Sequence, residues 1–135
     1  MDRLITSYRE VKADYYRRTG IFEIMHTVVL KREIYDKSPW VAINPYNAFV
    51  EAKAAAIVEM RRAPGSLVCV LPWLEDNLNE VERIMGPDPF VYGLGVQNRN
   101  VVDTFELYAF EQGLTPRLFT VEDLFAPETH NAIFN

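Results

Sequence analysis

The stretch Tyr15–Leu30 constrains the fold more than any other part of this 135-residue chain. Ile24, His26, Val28 and Leu30 alternate with Met25, Thr27 and Val29, so a strand here carries mostly apolar side chains on both of its sides. Such a strand belongs inside a sheet covered on both faces. Arg17, Arg18 and Thr19 precede it, and Gly20 allows a sharp change of direction between that basic segment and the strand. A buried strand bearing His26, entered through a basic bend, suits an anionic ligand.

The length allows one domain with a core and not two. A composition of 49% hydrophobic and 24% charged residues is globular. With a net charge of −5 and no long run of Lys or Arg, a general nucleic-acid binder is excluded. Cys69, the only cysteine, cannot form an intramolecular disulfide or a cysteine metal cluster, and between Val68 and Val70 it reads as a small buried apolar residue. The two histidines are far apart, and no carboxylates stand at ligand spacing, so no metal site is expected from this chain. No motif for pyridoxal phosphate, thiamine or flavin is present, and no cofactor is expected. The N-terminus lacks a signal-peptide core and no apolar run is of membrane-spanning length, which predicts a cytoplasmic protein with no membrane partner.

Helix dominates the rest. Tyr8, Val11 and Tyr15 have helical spacing. The expected strand occupies about 22–31, and a helical turn through Ile34 and Tyr35 follows it. Ser38-Pro39-Trp40 is a helix start, and Asn44-Pro45 repeats the signal. Either one helix kinks at Pro45 or a short helix ends and a second begins there. The segment runs to about Arg62, with Ala42, Tyr46, Phe49, Val50, Ile57 and Met60 on one face and Lys53 in its middle. The ordinary reading of Lys53 is a buried stem with its amine reaching water; the alternative is an amine aimed into a site. Ala63-Pro64-Gly65 breaks this helix. Leu67–Leu71 is a second, weaker candidate strand or the entry to the next helix.

From Pro72 to Met85 a helix ending at Gly86 is expected, with Leu71, Leu74, Leu78, Val81 and Met85 as its apolar stripe. Residues 87–95 read as an irregular loop. A helix follows over Asn98–Gln112, closed by Gly113 and Leu114, and Thr120-Val121-Glu122-Asp123 resembles a capped start to a short helix. Residues 128–135 read as a loose tail. The expected fold class is therefore α/β and helix-dominated, with one strong buried strand covered by helices. A lone buried strand has nothing to pair with, so its sheet partners are expected elsewhere: at 67–71, in another copy, or in a portion outside this chain.

From Tyr8 to Phe125 the chain resembles the C-terminal part of 4,5-dihydroxyphthalate decarboxylases. The matching stretches are Tyr8-Arg9-Glu10-Val11, Tyr15–His26, Pro39-Trp40-Val41-Ala42, Ala48-Phe49-Val50-Glu51-Ala52-Lys53, Leu71-Pro72-Trp73-Leu74, Tyr92-Gly93, Glu111-Gln112-Gly113-Leu114 and Leu124-Phe125-Ala126-Pro127-Glu128. The resemblance implies the C-terminal return segment of a two-lobed, type 2 periplasmic-binding-protein-like fold. Residues 1–20 would be the crossover between lobes, and 21–127 a strand with its helical cover. The family is longer, and its N-terminal portion has no counterpart here. Asn44-Pro45 also departs from the family, which runs a continuous helix at that point.

The reaction so implied removes one carboxylate from a catechol dicarboxylate. Such a site needs cations for two carboxylates, a general acid, and groups that hold the ring oxygens. By resemblance His26 is the candidate catalytic acid, and Arg17, Arg18, Thr19, Tyr92 and Lys53 are candidate substrate-binding residues. Each also has an ordinary reading: a histidine on an apolar strand is commonly a hydrogen-bonded core residue, and paired arginines are commonly solvated. Trp73 reads as core and His130 as an inert tail residue. The expected partners are a small aromatic carboxylate and either a second copy or a companion N-terminal-lobe chain. The alternative function is a non-catalytic small aromatic-acid binding or assembly module, since binding-protein folds host both.

Overall fold

The computed structural model describes residues 4–65 and 71–130. Six α-helices organise them: α1 (Tyr8–Thr19), α2 (Arg32–Lys37), α3 (Ile43–Arg62), α4 (Leu74–Met85), α5 (Val96–Glu111) and α6 (Val121–Leu124). Short 3-10 turns at Pro39–Ala42, Ala63–Gly65 and Pro127–Thr129 join or follow them.

The helix ends follow from local chemistry. Gly20 closes α1 in the left-handed conformation (φ 66°), its N–H donating to the Tyr16 carbonyl at 2.7 Å. At the end of α5, Gly113 (φ 71°) donates to Phe110 O and Leu114 to Ala109 O, the paired bonds of a Schellman cap. Thr120 and Asp123 form a reciprocal capping box at α6. Of the two expectations at Asn44-Pro45, the second is found: a short 3-10 helix, Pro39–Ala42, ends and α3 begins. Pro45 is the third residue of α3, where its missing N–H would have no intrahelical acceptor, and the Ser38-Pro39 signal produces only the preceding 3-10 turn.

The expected strand is not formed: the described residues contain helices, turns and irregular segments and no strand. Residues 22–31 instead run between α1 and α2 with no backbone ladder to any described residue. Their apolar side chains are exposed, Met25 by 81%, Val28 by 63% and Val29 by 84%. Alternation fixes which way side chains point along an extended chain, but a strand also needs hydrogen-bonding neighbours. The weaker candidate at 67–71 lies, apart from Leu71, outside the described residues, as does Cys69. The α/β expectation therefore reduces to a helix-dominated chain.

The core is small. Leu94, Val102 and Val121 form a buried cluster, with Phe125 packed against it, and Ala42, Val101 and Ala109 are also buried. Glu106 shares the inner side of α5, and its Oε2 has no hydrogen-bond partner among the described residues. Ion pairs tie the helices together at their rims: Arg9 to Glu80, beside a hydrogen bond from Arg9 to Asn77 Oδ1, joins α1 to α4, Arg61 to Glu82 joins α3 to α4, and Arg99 to Glu122 joins α5 to α6. Trp73 is a further correction. It is exposed at the start of α4 in the left-handed conformation (φ 60°), which disfavours any side chain with a Cβ. The His130 Nε2 lies 3.0 Å from the Phe125 carbonyl, so that nitrogen carries the proton. Glu128 accepts a 2.8 Å hydrogen bond from the Tyr35 hydroxyl, and the rest of the expected loose tail, 131–135, lies outside the described residues. That bond to a carboxylate, with some burial, raises the Tyr35 phenol above its ordinary range.

Candidate functional site

The end of α1, the extended segment after it, the 87–95 loop and the start of α5 converge. Thr19 fixes the bend after α1: its Oγ1 donates to Tyr15 O at 2.8 Å and accepts from the Ile21 N–H at 3.1 Å. The first turns of α5 hold this end of α1 through two side chains. Gln97 donates to the Tyr16 hydroxyl at 3.2 Å, and Asn100 donates to the Thr19 carbonyl at 3.2 Å. Two residues beyond Gly20, Phe22 meets Phe90 edge-on with ring centroids 5.8 Å apart. The bend and the loop are thus in direct contact.

Side chains pin the loop along its length. Lys53 reaches it from the middle of α3, its Nζ lying 2.5 Å from Asp88 Oδ2, 3.0 Å from Phe90 O and 4.7 Å from the centroid of the Tyr92 ring. Asp88 uses its other oxygen to accept the Phe90 N–H at 3.2 Å. Asn98 donates to Val91 O and Gly93 O, and Arg99 to Leu94 O. The α5 helix opens at Gly95 directly after the loop, and helix N-termini attract negative charge.

Of the residues expected at the site, Lys53 and Tyr92 are in contact, and Thr19 joins them through the α5 start and the Phe22–Phe90 pair. The Lys53 side chain is 15% exposed, and its ammonium contacts Asp88, Phe90 O and the Tyr92 ring. Arg17 and Arg18 occupy the last turn of α1, where cations also complement the helix dipole. Arg18 pairs with Asp14 at 2.9 Å across one helical turn, and Arg17 makes no ion pair with a described residue. His26 is exposed on the extended segment and makes no hydrogen bond to a described residue, so the expected buried histidine is not found. Among the described residues no group of three or more His, Cys, Asp or Glu side chains is arranged to hold a metal ion. No described helix is long and apolar enough to cross a membrane.

Asp88, Gln97, Asn98 and Asn100 escaped the sequence reading. The signal available for them was the polar run Gln97-Asn98-Arg99-Asn100 at the start of a helix whose later turns are apolar, next to a loop rich in glycine and proline.

No family model matches the chain. Over 119 residues it is 32% identical to a Comamonas testosteroni protein named 4,5-dihydroxyphthalate decarboxylase, a match that takes in 88% of this chain and 36% of that protein. The two are distantly related, and this chain spans about a third of the relative's length.

Proposed function

We propose that the chain is one part of a decarboxylase that converts 4,5-dihydroxyphthalate or a close aromatic dicarboxylate to 3,4-dihydroxybenzoate in the cytoplasm. The observation that carries this is the 32% identity over 119 residues, which runs through the stretches holding the candidate site residues. Loss of carbon dioxide directly from an arene leaves a high-energy aryl anion. Protonation of the carbon that bears the departing carboxylate avoids it, with the ring hydroxyls supplying electron density. The carbon–carbon bond then breaks, its electron pair returns to the ring, and carbon dioxide leaves. His26 is the proton donor in this scheme. Arg17 and Arg18 hold the carboxylates, Thr19 shapes the bend that presents them, and Tyr92 donates to a ring oxygen, with Lys53 beside it.

The exposed segment at 22–31 is where the rest of the site is completed. A strand apolar on both sides requires a sheet on both edges and cover on both faces, so further polypeptide supplies them, as a periplasmic-binding-protein-like lobe would. A companion N-terminal-lobe chain suits this need better than a second copy, which would pair one edge only.

The test is trapping of carbon dioxide and chromatography of product from 4,5-dihydroxyphthalate, with the 135-residue chain alone and with the relative's N-terminal portion added. Turnover only in the mixture is the expected result. Robust turnover by the chain alone would remove the need for completion. Binding of the dicarboxylate by the mixture without carbon dioxide release would favour the binding-module function instead.

A further inference from the structure

We propose that Lys53 is a positioning residue that acts through Tyr92, rather than a group that touches the substrate. This rests on the proposed function only for the identity of the ligand. The ammonium of Lys53 donates two hydrogen bonds to the loop, to Asp88 Oδ2 at 2.5 Å and Phe90 O at 3.0 Å, and its charge lies 4.7 Å from the centroid of the Tyr92 ring. Lys53 reaches into the loop between 88 and 92 from far along the chain, and further bonds to the loop come from Asp88 itself and from the adjacent α5. Asn98 fixes Val91 O and Gly93 O on either side of Tyr92, and the Lys53 cation lies against the face of the ring between them. The ion pair is largely withdrawn from water on the lysine side, where such contacts weigh more than on an open surface. Phe90, whose carbonyl Lys53 holds, is also the ring that receives Phe22 from the extended segment. One amine on α3 therefore sets the position of the loop, the Tyr92 hydroxyl and the docking point for the segment that carries His26.

The proposal is tested on the full chain with Lys53→Met, Tyr92→Phe and the double variant. Limited chymotrypsin digestion, mapped by mass, reads the loop at Phe90 and Tyr92, with the α5 sites Phe105 and Tyr108 as internal controls. Lys53→Met is expected to speed loop cleavage about tenfold or more while the α5 sites change little, because cleavage tracks the population of the opened segment. Binding of 3,4-dihydroxybenzoate is read by calorimetry across the same variants. Lys53→Met is expected to weaken it in the parent background and to have little further effect when Tyr92→Phe is already present, the non-additivity of residues that act through one another. Loop cleavage within twofold of the parent overturns the proposal. So does full additivity of the two substitutions on affinity, which would indicate that Lys53 meets the ligand directly. If the parent chain fails to bind 3,4-dihydroxybenzoate even in the mixture with the relative's N-terminal portion, the proposed ligand is wrong, and the cleavage ratio alone decides the role of Lys53.

Discussion

Placing a charge at Val28 separates folding from association. Val28 is 63% exposed in the isolated chain, and its neighbour Val29 is 84% exposed. Val28→Lys should therefore leave the stability of the isolated chain within about 0.5 kcal/mol, as for other surface substitutions. In an assembly that covers residues 22–31 the same position is buried. Completing the burial of a valine side chain that is already one-third covered contributes about 1–2 kcal/mol, from the 1.5–3 kcal/mol range for a whole side chain. A lysine there loses that contribution, and its amine must either remain unpaired or bend out along its stem, a further loss of about 1–3 kcal/mol. Association should weaken by roughly 30-fold or more, since each 1.4 kcal/mol is a factor of ten. Sedimentation equilibrium over a concentration series, alone and with the companion polypeptide, measures the association; urea unfolding of the isolated chain measures the folding. Unchanged association in Val28→Lys would refute the burial of this segment. A large loss of stability in the isolated variant would refute its exposure.

Further expectations concern the acid, the core and the last helix. In the complete assembly His26→Gln should lower kcat about a hundredfold or more while sparing thermal stability, and an unchanged kcat with lost stability would make His26 structural. Val121 is 2% exposed within the Leu94–Val102 cluster, so Val121→Ala should destabilise the chain by about 2–3 kcal/mol in urea unfolding; a loss under about 0.5 kcal/mol would contradict that core. Hydrogen bonds from Arg117 and from the Thr120 backbone hold the Asp123 carboxyl below its ordinary range, and Arg99 does the same for Glu122. Groups depressed by folding stabilise the chain above the ordinary carboxylate pKa of about 4, and that stabilisation is lost as pH falls through their lower folded values. Asp123→Asn should flatten this acid decline, and an unaltered acid profile would show that the cap contributes nothing.

Helix boundaries were legible in the sequence wherever a single residue dictates backbone geometry. Gly20, Gly113 and the Thr120–Asp123 pair each sit where their chemistry places them. Asn44-Pro45 was ambiguous for a physical reason: proline is tolerated in a helix's first turn and disruptive later, and only the start of α3 decides between them. The extended segment could not be read to its end, because alternation at 22–30 specifies a strand without specifying what pairs with it. At the site, Tyr92 and Lys53 stood out as residue types, but their meeting depends on the loop folding back to α3, where Asp88 meets Lys53 across 35 positions. The amine partner Asp88 and the struts from Gln97, Asn98 and Asn100 are tertiary facts with only a compositional trace. Trp73 shows the limit in the other direction, since its apolar character says nothing of the left-handed backbone that turns it outward.

Amide hydrogen exchange at Ile24–Leu30, measured on the chain alone and in the mixture that releases carbon dioxide, bears most directly on the completion of this site by further polypeptide. These amides have no acceptor among the described residues, so they should exchange at nearly unprotected rates in the isolated chain. In the active mixture a paired strand should slow them by about a hundredfold or more, the expectation for amides bonded into a stable ladder. Full turnover with Ile24–Leu30 still exchanging freely would contradict the proposed completion of the site through this segment.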